Sequence, residues 1–295
     1  MKQRLWSVPF LSALELDLPL RVTAEHPAQA LLRVAAELFG DAGYFETPHG
    51  RLRWAARGSR DAPPLLVIHG MGDTLGGWAQ AAPALTAKYR VHLLDLPGHG
   101  LSDAPPDYRF STLLAAVAAY ARTLRRPVLL GHSLGGWLAV RLAADPRIDA
   151  AGLVLVNPAG MLPAQSRWEP FLRLVLPEDP TDREGARRYL AAAFHAPPPL
   201  LKLFPGEVLR AMRAPAIAGF LRGVDGPDFL RAEELRALRL PVRLIWGESD
   251  RLLPEGTLDF FRQNLPAHRF VPLARAGHLP HLEAPLRLAR AVLAR

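Results

Sequence analysis

The sequence predicts an α/β fold, a largely parallel sheet covered on both faces by helices. Three observations predict it. Short apolar runs with turn-rich ends recur at Leu65–His69, Val91–Asp95, Val128–Gly131, Leu153–Asn157, Val242–Trp246 and Arg269–Leu273, and unbroken runs of this kind suit strands buried on both faces of a parallel sheet. Helical periodicity lies between several of them, as in Leu113, Leu114, Val117, Ala121 and Leu124, and strand–helix alternation implies helices on both sides of the sheet. The residues best suited to chemistry stand just past the carboxyl ends of these runs, where open α/β sheets bind ligands.

In chain order, residues 1–44 read as an N-terminal extension. Ala28, Leu31, Leu32, Ala35, Ala36 and Phe39 recur at helical spacing, with Pro27 suited to a first turn and Gly40 to a stop. The polar face of this helix carries Gln29, Arg33 and Glu37 rather than a basic stripe, which favours packing against the protein over a membrane-surface role. Lys2 and Arg4 precede the apolar stretch Leu5–Leu11, but Glu15 and Asp17 interrupt it and no small-residue cleavage site follows. No run reaches the ~18 apolar residues of a spanning helix, so a cytoplasmic location is expected.

Phe45-Glu46-Thr47, a Pro-His-Gly turn and Leu52–Ala55 read as an antiparallel hairpin. This hairpin opens a core formed by residues 45–157 and 240–295. Residues 158–239 show no strand pattern and are rich in proline, leucine and arginine. They are expected to form a mostly helical insertion over the carboxyl edge of the sheet. Thr181 and Glu184 suggest a capping box that opens a helix through Tyr189 and Phe194.

The strongest local signal is Gly131-His132-Ser133-Leu134-Gly135, a G-x-S-x-G pattern between an apolar run and a helical stretch through Trp137, Leu138 and Val140. Such a turn exposes the serine hydroxyl and sets the next N–H at a helix N-terminus. A hydroxyl needs a base to take its proton, and the base needs an orienting group. With a serine on this kind of turn, acid and then histidine follow along the chain. Asp250 lies in the turn after Val242–Trp246 and is preferred over Glu248 and Glu255. His278 follows Gly277 in the loop after Arg269–Leu273 and is preferred over His281, which is expected in the next helix. The catalytic expectation is therefore Ser133 as nucleophile, His278 as base and Asp250 as orienter. Backbone donors for the developing oxyanion are expected at Leu134 and, from His69-Gly70-Met71-Gly72, at Met71. His99 and His132 are expected to be structural.

The composition, 49% hydrophobic and 22% charged, is that of an ordinary globular protein. The formal charge of +8 is nearly all arginine, and the arginines are scattered without interleaved aromatics, so no nucleic-acid partner is expected. The sequence has no cysteine, which excludes disulfides and a cysteine nucleophile. No phosphate-loop pattern is present, and the pair His278–His281 has no third ligand at recognisable spacing. No cofactor and no metal are expected.

With these motifs in order, the sequence resembles the α/β-hydrolase superfamily over about Phe45 to Arg295. The resemblance rests on His-Gly-Met-Gly at 69–72, Asp-Leu-Pro-Gly-His-Gly-Leu-Ser-Asp at 95–103, Gly-His-Ser-Leu-Gly-Gly at 131–136, Trp-Gly-Glu-Ser-Asp at 246–250 and Gly-His-Leu-Pro-His-Leu-Glu-Ala-Pro at 277–285. It implies a sheet of about eight strands and a helical cap inserted after the sixth, at 158–239. Haloalkane dehalogenases and epoxide hydrolases have aspartate where Ser133 stands, and carbon–carbon bond hydrolases often have asparagine at position 132. His132 is similar to many lipases and carboxylesterases. The expected activity is hydrolysis of a small-molecule or lipid-like carboxylic ester through an acyl-enzyme. Lactone, thioester or carbon–carbon bond hydrolysis is the alternative, and a non-catalytic binding protein on the same fold is a further one.

Overall fold

The computed structural model describes residues 40–162, 165–175, 182–198 and 213–294. The helical pattern at 28–39, Thr181, and the apolar residues Leu200, Leu201, Leu203 and Phe204 lie outside the described residues. Eight strands form one sheet: β1 Asp41–Thr47, β2 Gly50–Arg57, β3 Pro64–Ile68, β4 Arg90–Leu94, β5 Val128–His132, β6 Gly152–Val156, β7 Val242–Gly247 and β8 His268–Leu273. Their order is β1-β2-β4-β3-β5-β6-β7-β8. The hairpin β1–β2 joins the sheet antiparallel to β4, and every other pairing is parallel. This is the α/β-hydrolase fold. The first strand starts at Asp41 and so takes in the last residues of the stretch read as an extension.

Position in the sheet explains the residue patterns. Edge strand β1 alternates between half-buried and exposed residues, whereas β6, between β5 and β7, is buried throughout. Successive side chains on a strand point to opposite faces. Leu66, Ile68, Leu129, Leu153, Leu155 and Leu244 accordingly join one apolar cluster, while Leu65, Val67, Leu130, Val154, Val156 and Ile245 join another. The first cluster takes up α1 (Phe110–Ala121) and α2 (Leu134–Ala143) through Leu113, Val117, Leu138 and Leu142. The second receives Trp78 and Leu85 from one side of the chain and Leu288 and Val292 from its C-terminal helix.

Between β6 and β7 the described chain carries α3 (Gln165–Val175), α4 (Arg183–Ala193) and α5 (Pro215–Gly223), with no strand among the described residues. Helix α6 (Thr257–Asn264) follows β7, and α7 (Pro285–Leu293) follows β8. The N-cap of α4 is Asp182, whose Oδ1 accepts the Gly185 N–H at 2.7 Å, and the helix ends before Phe194. This corrects the expected cap at Thr181: the helix begins one residue later, and the Asp182 carboxylate takes the amide three residues on, that of Gly185 rather than of Glu184. Among the described residues no helix is long and apolar enough to cross a membrane.

Candidate active site

The turn from β5 into α2 is forced by its glycines. A Cβ on Gly131 would lie 2.2 Å from the Gly135 carbonyl oxygen, and one on Gly135 would lie 2.0 Å from that of Ile68. Helix α2 therefore starts hard against the sheet, and Ser133 is held at φ 52° and ψ −119°, a conformation disfavoured for any residue with a side chain. Its backbone is tied down from several sides. The Ser133 N–H donates to Val156 O at 3.1 Å, and its own carbonyl accepts from Gly136, Trp137 and Ala159. Leu134 is the first residue of α2, so its N–H is among the amides that a helix leaves without an internal acceptor.

Gly70 permits the loop after β3 to approach this turn. A Cβ there would meet Ser133 Cβ at 3.0 Å and His132 Nδ1 at 2.8 Å. Met71 of the same loop lines one cavity with Ser133, Leu134 and His278. His69, which begins the loop, is internally satisfied: Leu96 N–H donates to its Nε2 at 2.9 Å and its Nδ1 donates to Gly70 O at 2.7 Å. Burial pushes His69 below its ordinary pKa and takes His99 down to about 3. Both rings are neutral parts of the loop framework.

Past the ends of β7 and β8 stand Asp250 and His278. Their side chains are 0% and 4% exposed, and His278 Nδ1 lies 2.8 Å from Asp250 Oδ2. The carboxylate is saturated with donors. Asn157 Nδ2 donates to Oδ2 at 2.7 Å, and the Leu252 and Leu253 N–H groups donate to Oδ1 at 2.9 and 3.2 Å. Burial pushes the Asp250 pKa up, but the His278 and Asn157 contacts and the Leu253 amide outweigh it, so the group lies below the usual carboxylate range. Glu248 and Glu255, the other acids considered, are exposed. Asp250 and His278 are thus brought together, and His278 lines one cavity with Ser133.

Five residues outside the expected catalytic set take part in the framework. Asn157 follows β6 at φ 42°, is 0% exposed and has its amide oriented by accepting the Gly247 N–H at 3.1 Å. Glu283 gathers the amides of His195, Ala196 and Gly277, the first two at 2.8 and 3.0 Å, and so ties the chain after α4 to the loop of His278. His132 Nε2 donates to the His278 carbonyl at 2.7 Å. His281, in the short helix Pro280–Glu283, lies 3.1 Å from Asp73 Oδ2 through its Nε2. Of these, only Glu283 and the histidines fall inside recurring sequence motifs. Nothing local in the sequence marks Asn157, and Asp73 stands at the end of the His-Gly-Met-Gly-Asp stretch without a sign of its partner.

Asp73, His132 and His281 each place one ligand-type atom within 4.8 Å of the others, an association that sequence spacing did not reveal. His281 Nε2 and Asp73 Oδ2 already face each other, and His132 Nε2 is held by a carbonyl. Asp73 Oδ2, His281 Nε2 and His132 Nδ1 are buried and make no hydrogen bond among the described residues, so the arrangement is a close polar cluster beside the nucleophile turn.

The cavity is mostly apolar. Trp137 and Leu279 line it from the core side, with Phe171, Ile217, Phe220 and Leu221 from α3 and α5. Tyr189 of α4 adds a phenol that burial, Asp73 and Asp250 push up to about 12, so it stays protonated.

The model of the alpha/beta hydrolase family matches residues 65–291. A pimeloyl-[acyl-carrier protein] methyl ester esterase of Aeromonas hydrophila is 29% identical over 236 residues, covering 76% of this chain and 91% of that protein. Its namesake from Nitrosomonas europaea is 30% identical over 244 residues, covering 76% and 92%. Among solved structures, a membrane phospholipase A described as a bacterial virulence factor superposes with a TM-score of 0.77 at 28% identity, covering 90% of this chain and 88% of that one.

Proposed function

We propose that this chain, which belongs to the α/β-hydrolase family, is a serine hydrolase that cleaves carboxylic esters through an acyl-enzyme. The observation that carries the reading is the buried pair His278–Asp250 at 2.8 Å, set in one cavity with a serine at φ 52°. A strained, backbone-anchored serine beside an oriented imidazole is the constellation that nucleophilic catalysis requires.

In this reading His278 Nε2 takes the Ser133 proton as Oγ attacks the ester carbonyl. Nδ1 stays bonded to Asp250, whose charge stabilises the imidazolium as it forms. The oxyanion is received by the N–H groups of Leu134 and Met71, fixed donors in a largely dry site. The imidazolium then protonates the departing alkoxide. A water deprotonated by the same ring attacks the acyl-enzyme and releases the acid. Helices α3, α4 and α5 act as the cap expected at 158–239, and their apolar side chains form the acyl pocket. The substrate is accordingly an ester whose acyl part is uncharged where it meets this wall. Two relatives carrying the name of methyl ester esterase and a phospholipase A of similar structure support ester cleavage over the alternatives.

The test is turnover of p-nitrophenyl esters of graded chain length by the wild type and Ser133→Ala, with a fluorophosphonate probe and mass spectrometry to locate the adduct. Turnover and labelling at Ser133 that vanish together in the variant are expected. Activity that survives in Ser133→Ala overturns the mechanism.

A further inference from the structure

The proposed machinery uses one Asp–His pair, yet the structure contains a second. Asp73 closes the loop after β3, where its N–H donates to Gly70 O at 3.2 Å. Its Oδ2 lies 3.1 Å from Nε2 of His281, three residues beyond the base, and the two side chains are 13% and 0% exposed. His281 lies flat on Trp78, with ring centroids 4.8 Å apart and planes 4° from parallel. Its other neighbour is His132, at 4.7 Å between centroids. His132 in turn precedes the serine and donates to the main-chain carbonyl of His278. The chain is shaped to admit the carboxylate, since a Cβ on Gly77 would lie 2.1 Å from Asp73 Oδ1.

We propose that Asp73 and His281 are a positioning pair that locks the oxyanion loop to the base loop, with His132 joining both to the nucleophile turn. The inference rests on the serine-hydrolase reading and adds two residues to it. Three loops from three separate strands supply the oxyanion donor, the nucleophile and the base. The His281–Asp73 contact joins the first to the third, and the His132–His278 hydrogen bond joins the second to the third. Burial raises the pKa of Asp73, but His281 overrides it, so the carboxylate stays ionised. The close approach of the two side chains, with His281 stacked on Trp78, is what ties the loop, and the loop carries the Met71 N–H.

The variants Asp73→Asn, His281→Phe, which keeps the stacked ring, and His281→Gln, which keeps a donor, are compared with the wild type. A fluorophosphonate titration counts competent Ser133 sites, so that kcat is expressed per site and loss of folded protein does not enter. The expected result for Asp73→Asn and His281→Phe is a fall in kcat per site of about 100-fold, the scale of an ångström-sized misplacement, with KM within about twofold. Affinity for a boronic-acid transition-state analogue should fall in proportion to kcat. His281→Gln should recover part of the loss, and the double variant Asp73→Asn/His281→Phe should lose no more than either single one. Unchanged kcat per site in both single variants, with normal labelling of Ser133, overturns this inference alone. Failure of the wild type to label at Ser133 overturns the hydrolase reading and this inference with it.

Discussion

Asn157 and Asp250 meet side chain to side chain, Nδ2 to Oδ2 at 2.7 Å, although 93 positions separate them in the sequence. The oxygen that accepts from Asn157 is the one that accepts from His278. Removing the amide by Asn157→Ala is therefore expected to loosen the orienter and leave its oxygen short of a donor. A fall in kcat of about 10- to 100-fold with little change in KM is predicted. A variant with wild-type kcat would show that Leu252 and Leu253 alone suffice to hold Asp250.

Glu283 is predicted to link the helical insertion to the base. Its carboxylate accepts from His195 and Ala196 beyond α4 and from Gly277 before His278, while the His278 N–H itself donates to Ala193 O at 2.7 Å. Glu283→Ala leaves three amides without their acceptor; those of His195 and Ala196 are exposed, and the buried one of Gly277 costs about 1–3 kcal/mol. Both kcat and KM should worsen, since base and pocket wall share the anchor. Steady-state kinetics that show a change in KM only would rule out the link to the base.

Acid sensitivity should begin well above the carboxylate range. Burial depresses His92 to about 4 and His99 to about 3, and lowers His69 and His132 as well. The unfolded chain takes up protons near pH 6.5, while the folded one does not. The stability held in these neutral rings is thus complete above about 6.5 and declines as pH falls. It is exhausted for each ring below its folded pKa. The slope is about 1.4 kcal/mol per pH unit for each histidine. Urea unfolding between pH 7.5 and 4.5 reads this directly, and a flat midpoint across that window would refute it.

Gly135→Ala is predicted to destabilise the whole protein rather than the site alone. Its Cβ would meet the Ile68 carbonyl oxygen at 2.0 Å, a backbone atom of β3 fixed by pairing on both sides. A cost of about 3 kcal/mol or more is expected. Thermal unfolding by circular dichroism checks it, and a melting temperature within a degree or two of wild type would contradict the close packing described.

The wall formed by α5 should set chain-length preference. Phe220 lines the cavity and packs edge-on against Trp137, centroids 6.0 Å apart. Phe220→Ala opens that wall and should shift the optimum toward longer or bulkier acyl groups by about tenfold in relative kcat/KM. An unaltered p-nitrophenyl ester profile would place the acyl chain elsewhere.

The sequence by itself determined the fold class, because apolar runs of strand length and helical periodicity are properties of neighbouring residues. It set six of the eight strands to within one residue at either end, and it singled out Ser133, Asp250 and His278 from turn chemistry and chain order. The start of β1 at Asp41 was not legible, since an edge strand with one solvated face carries little apolar signal. The cap of α4 was displaced by one residue, from Thr181 to Asp182, because both side chains suit an N-cap and geometry alone selects. What only the tertiary structure decided is the support around the site. Asn157 reaches Asp250, His281 reaches Asp73 and His132 reaches the His278 carbonyl through pairings that no periodicity encodes. Each joins loops from different strands, and such contacts exist only once the sheet order has brought the strand ends side by side.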